Sequence, residues 1–196
     1  MVQVKLENKK KIGILGGTFD PAHRGHVKIS LEAKKRYGIN KIIWAITKKN
    51  PYKSKSEYSL NERIKFAKKI NSKNRFIKVK CYENIIKSNR TIDLIKYIKR
   101  KNKNTKIYFI MGADNLRSFH KWKNYKQILQ DYSIYVYPRP NIEVGHQHKN
   151  IHIIQDVPQI EISASFIRKS IKEGKNVSYL MPEKAWKYID EMNFYK

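Results

Sequence analysis

Residues Gly13-Ile14-Leu15-Gly16-Gly17-Thr18-Phe19-Asp20-Pro21-Ala22-His23-Arg24-Gly25-His26 run an apolar segment into a glycine pair and then set two histidines three residues apart. These types at this spacing suit one task, the holding of a polyphosphate. The segment 11–15 reads as a short buried parallel strand. Gly16 and Gly17 read as a turn that lets the backbone approach an anion closely and adopt conformations closed to other residues. His23 and His26 stand at i and i+3 of the following helix and face one side. The helix N-terminus adds unpaired N–H groups and a partial positive charge. The pair could instead open a metal site, but no third ligand stands at a fixed nearby spacing.

A second constellation is Ile162-Ser163-Ala164-Ser165-Phe166-Ile167-Arg168. Two hydroxyls and free N–H groups at a helix start, with a guanidinium one turn inside, suit an anion. Taken alone, the same residues read as an ordinary N-cap followed by a surface arginine. A third is Met111-Gly112-Ala113-Asp114-Asn115-Leu116, at the carboxyl end of an apolar run. A carboxylate there can accept from paired ribose hydroxyls, or cap the next helix. Trp122, amid polar residues, is either partly packed core or a flat platform for a cationic ring.

These groups need a scaffold, and the chain alternates apolar strands with amphipathic helices. Helix 27–37 is followed by Gly38 as a C′ residue. Strand 41–46 follows, and Ser59-Leu60-Asn61-Glu62 is a capping box opening a helix to Ile70. A strand at 76–81 precedes a helix capped by Thr91 with Ile92, Ile95 and Ile98 on its apolar face. Further strands are expected at 107–111 and 132–137, with a weaker one at 151–154. Ser163 caps a helix ending near Gly174, and Pro182 takes the first position of the last helix. The alternation predicts an α/β fold: one doubly wound, Rossmann-like domain over residues 1–196, its sheet mainly parallel, with a helical part from about residue 163. Ligands then sit at the carboxyl ends of the strands. The segment 138–150 reads as a polar, mobile loop. His146 and His148, with His152 beyond, could hold a stray metal, although a solvated loop is the plainer reading.

Lys and Arg number 43 against 16 Asp and Glu, a formal charge of +27 in 196 residues. Such a charge suits nucleic acid or anionic lipid. It suits equally a lysine-covered enzyme acting on anions, and here the lysines run from Lys5 to Lys196 beside abundant Asn, Ile and Tyr. That joint enrichment fits a compositional bias toward A/T-rich codons, so specific nucleic-acid binding is not expected. Cys81 is alone, which fits a reducing cytoplasm. No segment reads as a signal peptide or a membrane span.

Gly16-Gly17-Thr18-Phe19-Asp20-Pro21 with His23-x-Gly25-His26 resembles the signature of the nucleotidylyltransferase superfamily, most closely in its bacterial nicotinate-nucleotide adenylyltransferase form. The resemblance extends through Ile162–Arg168 and Gly112-x-Asp114 and covers nearly the whole chain. It implies adenylyl transfer from ATP to nicotinate mononucleotide in NAD biosynthesis. His23, His26 and Arg168 would be catalytic. Gly16, Gly17, Thr18, Phe19, Gly25, Gly112, Asp114, Ser163 and Ser165 would join Arg168 around ATP. Lys53, Asn89, Arg90, Thr91 and Trp122 would receive the mononucleotide, with Trp122 on the pyridine ring. Mg2+ would arrive with ATP, without a protein-built cage. The chain departs from the family pattern at Tyr52, where a histidine is usual, and at Asn89 and Arg90, where Ser-Tyr is usual. Other superfamily adenylyltransferases are the near alternatives, using nicotinamide mononucleotide or pantetheine phosphate. A basic nucleic-acid-binding protein on the same scaffold is the distant one.

Overall fold

The computed structural model describes residues 9–49, 56–143, 145, 148–158 and 161–196. Six apolar segments form one sheet: β1 (Lys11–Gly17), β2 (Lys41–Ile46), β3 (Ile77–Lys80), β4 (Lys106–Gly112), β5 (Ser133–Tyr137) and β6 (Ile151–Ile153). Their order is β3-β2-β1-β4-β5-β6 and every pairing is parallel. Central β1 places Ile14 opposite Ile43 on one side and Phe109 on the other. From β1 the chain winds outward through β2 and β3, and from β4 through β5 and β6. The loops after β1 and β4 therefore part in opposite directions and leave a crevice between them, the usual ligand position in such sheets.

Helices cover both faces because alternate strand residues are apolar on each. Ile12, Ile14, Ile107, Phe109 and Met111 pack with Ile92, Ile95 and Ile98 of α4 (Thr91–Lys101) and Ile128 of α6 (Tyr125–Asp131). Leu15, Tyr108 and Ile110 face the other way. They pack with α1 (Arg24–Tyr37), α2 (Leu60–Ile70), α7 (Ala164–Lys172) and α8 (Glu183–Glu191), so the helical part after residue 163 shares a core with the sheet. Short α3 (Glu83–Ile86) and α5 (Ala113–Leu116) complete the set. At the edge, β3 buries Ile77 and Val79 and exposes Lys78 and Lys80, charges that discourage pairing with another strand. Among the described residues no helix is long and apolar enough to cross a membrane.

The caps follow the sequence where side chains dictate them. Gly38 ends α1 at φ 62°, Ser59 and Glu62 close the capping box of α2, and Ser163 caps α7. Three expectations are corrected. Gly16 and Gly17 do not turn; they extend β1 opposite Ala45 and Ile46. The left-handed residue of the following loop is Phe19, at φ 52°. The glycines instead leave room: a Cβ on Gly17 would come within 3.3 Å of the Phe19 ring. Thr91 is the first residue of α4, and Arg90 stands at the cap without a side-chain bond. Pro182 is the N-cap of α8 rather than its first residue.

Candidate active site

A cavity of about 700 Å3 opens at the carboxyl ends of β1, β2 and β4, lined by Gly16, Gly17, Ala45, Ile46 and Gly112 among others. Thr18 and Phe19 leave the end of β1 into its wall, and His23 follows as the N-cap of α1. The His23 backbone N–H donates to Nδ1 of His26 at 3.2 Å. A ring accepting at Nδ1 carries its proton on Nε2 when neutral. His26 lies between two rings, 3.8 Å from His23 and 4.6 Å from Phe19, and Phe19 stacks on Trp44 at 4.9 Å. The Trp44 indole N–H donates to Ser30 Oγ, which donates to the His26 carbonyl, at 2.8 and 2.9 Å. This stack fixes the orientation of His26 from behind. Gly25 is buried in the first turn of α1 and is not part of the cavity wall.

His23 is 2% exposed, and its Nδ1 has no hydrogen-bond partner among the described residues. Burial, then the positive charges of His26 and Arg139, hold its pKa well below 6.5. The folded chain thus keeps His23 neutral where the unfolded chain takes a proton. Stability is full above the unfolded pKa and falls as pH drops below it, by up to about 1.4 kcal/mol per pH unit. His23→Gln is expected to flatten this loss. Thermal melts between about pH 7 and pH 5 measure it, and an unchanged slope would assign the loss to another group.

The second constellation reaches the same cavity from the far end of the sequence. Ser163 Oγ accepts the Phe166 N–H at 3.1 Å and lies 3.1 Å from Ser165 Oγ. Arg168 does not stand free beside them. Its Nε donates to Glu57 at 3.1 Å and Nη1 to the Asp20 carbonyl at 2.7 Å. Across the cavity, Asp114 at the start of α5 pairs with Arg139 at 3.6 Å. Asn89, Arg90, Thr91 and Trp122 also line the cavity. Trp122 stands edge-on to Phe109 and Phe119, at 5.8 and 5.3 Å. The Arg90 N–H is taken by Ser88 Oγ at 3.1 Å. Because α4 begins at Thr91, its first-turn N–H groups lack partners within the helix and suit an anion. Lys53 and Tyr52 lie outside the described residues, as does His146.

Two residues of the site escaped the sequence reading. Arg63, 3% exposed on α2, donates to the carbonyls of Thr18, Thr47, Lys48 and Tyr58 at 2.6 to 3.1 Å. It ties the loops after β1 and β2 together beneath the cavity. Its signal was a charge on the face of α2 that also carries Phe66, Ala67 and Ile70. Arg139, between Pro138 and Pro140 just beyond β5, was marked by that position alone. Among the described residues the cavity carboxylates are each engaged within the protein. Asp114 faces Arg139, Asp20 accepts from Tyr195 and Glu57, and Glu83 accepts the Lys48 N–H.

The parallel sheet, its strand order and a crevice gathering histidines, hydroxyls and guanidinium groups define a nucleotide-binding α/β protein of Rossmann type. Residues 14–170 match the cytidylyltransferase-like family. A protein of Pelagibacter ubique named a probable nicotinate-nucleotide adenylyltransferase is 50% identical, over 85% of this chain and 99% of its own length. A Flavobacterium johnsoniae protein of the same name is 39% identical, over 95% and 99%. The fold matches the nicotinic acid mononucleotide adenylyltransferase of Plasmodium falciparum in complex with NaAD. That match has a TM-score of 0.76 at 23% identity and covers 95% of this chain and 97% of the other. The chain belongs to the cytidylyltransferase-like family, within it to the nicotinate-nucleotide adenylyltransferases.

Proposed function

We propose that the cavity joins nicotinate mononucleotide to ATP, giving deamido-NAD and pyrophosphate. An oxygen of the mononucleotide 5′-phosphate forms a bond to the α-phosphorus of ATP, and the bond from that phosphorus to the bridging oxygen of pyrophosphate breaks. A phosphate monoester has its second pKa near 6, so this nucleophile is ionised at neutral pH and needs no general base. What remains is to bring anions together and to stabilise charge on the bridging and equatorial oxygens. His23 and His26, with Thr18 and the backbone after β1, take the α- and β-phosphates. Ser163, Ser165 and Arg168 take the β/γ end, with Arg168 exchanging Glu57 for phosphate. Asp114 and Gly112 lie toward the sugars. Magnesium enters as part of the MgATP substrate, held by phosphate oxygens and water.

One observation carries this reading. Thr18, Phe19, His23 and His26 meet Ser163, Ser165 and Arg168, far apart in sequence, on one cavity that Asn89, Arg90, Thr91 and Trp122 also line. Trp122 offers its face to the pyridine ring, and the start of α4 offers N–H donors to the ring carboxylate. An amide would set its own NH2 against those donors, leaving buried groups unpaired at roughly 1–3 kcal/mol each. Pyrophosphate release with ATP and each mononucleotide is the test. The acid form is expected to be favoured at least tenfold in kcat/KM, and Arg90→Ala should narrow the ratio. Comparable efficiency on both forms would overturn the substrate assignment.

A further inference from the structure

Asp20, between Phe19 and His23, is 3% exposed and is held on three sides. Its Oδ1 accepts from the Tyr195 hydroxyl at 2.8 Å, and its Oδ2 accepts from the Glu57 N–H at 2.9 Å. Its carbonyl is the one that anchors Nη1 of Arg168. Four segments meet at this residue: the loop after β1, the stretch before α2, α7, and the residues beyond α8. Tyr195 is itself firmly placed. It is 4% exposed, its N–H donates to the Tyr58 hydroxyl at 2.8 Å, and its ring stands edge-on to Tyr58 at 4.7 Å. It holds this position at φ 66°, a left-handed conformation unusual for a tyrosine. A phenylalanine would fill the same space. The hydroxyl adds one thing, a buried donor aimed at Asp20. Burial and the Asp20 charge raise its pKa, so the hydroxyl keeps its proton.

We propose that Tyr195 is a positioning residue for adenylyl transfer. Through Asp20 it holds the loop that ends at His23 and the carbonyl that anchors Arg168. The inference rests on the reading above, in which those two side chains serve the ATP phosphates. Displacement of such groups by about an ångström can cost up to a hundredfold in rate. The binding wall at Asn89 to Thr91 and Trp122 makes no described contact with this joint.

Tyr195→Phe in the full chain tests it. Pyrophosphate release at saturating substrates is expected to slow roughly tenfold, with KM for the mononucleotide within about twofold of wild type. The ring resonances of His23 and His26, followed by NMR without substrate, should shift. An unchanged kcat with unchanged histidine resonances, even beside a lowered melting temperature, would reduce Tyr195 to packing and overturn the proposal. Asp20→Asn is nearly isosteric but removes the charge and one of the two acceptor oxygens, so it loosens the same joint and covers the case in which Tyr195→Phe does not fold. It should give the same split, and an unaltered kcat would equally overturn the proposal. In the double variant the two losses should not multiply. The substrate-free NMR reading separates failure of this inference from failure of the adenylyl-transfer reading, which wild-type turnover tests directly.

Discussion

The His26→Ala enzyme is expected to turn over about a hundredfold more slowly than wild type and to bind ATP almost as well, because loss of one preorganised donor at developing charge costs about 3 kcal/mol. The ground-state contribution is expected to be small, since ATP would also be held by Thr18, the Ser163 helix start and Arg168. The transition-state contribution is expected to be large because the ring is already oriented before substrate arrives. His23 and Phe19 hold it on either side, and the His23 N–H fixes its Nδ1. No reorganisation remains to be done at the moment of reaction. Single-turnover rates beside equilibrium ATP binding measure the split. Near-normal turnover would remove His26 from the phosphate site, and an equal loss in both would make it an ordinary binding contact.

Arg63→Met is expected to cost the fold about 4 kcal/mol, since it strands four partly buried carbonyls whose unmet bonds cost about 1–3 kcal/mol each before rehydration. The effect exceeds that of a surface salt bridge because the guanidinium spans the two loops at once. Arg63→Lys should recover less than half of the loss, for an ammonium cannot match a planar fork facing several carbonyls. Urea unfolding monitored by circular dichroism gives the number. A loss below about 1 kcal/mol would show that water replaces the arginine easily.

Much of this site was legible because its chemistry is local in the chain. The His23/His26 spacing, the Ser163 cap and the alternation of apolar segments each express a short-range rule, and each reappears in the structure. The glycine pair misled because a Gly-Gly after an apolar run has two uses, to turn or to make room. Here the Phe19 ring takes the room, and β2 continues the ladder alongside. Helix α6 was not anticipated since it is seven residues long with one buried side chain, Ile128, too little to set a period. The state of Arg168 was beyond reach for a different reason. Its partner Glu57 lies 111 residues away, and only the fold brings them together.

The joint at Asp20 also bears on the order in which the molecule is made. Its bond to Tyr195 closes a span of 175 residues, whereas β1 and β2 are joined by a single helix. Loop closure over such a span gains little until the intervening sheet and helices already hold the ends near one another. The loop that orients His23 is therefore expected to be completed after the sheet is in place. In a refolding chain the recovery of catalysis is accordingly expected to trail the recovery of secondary structure.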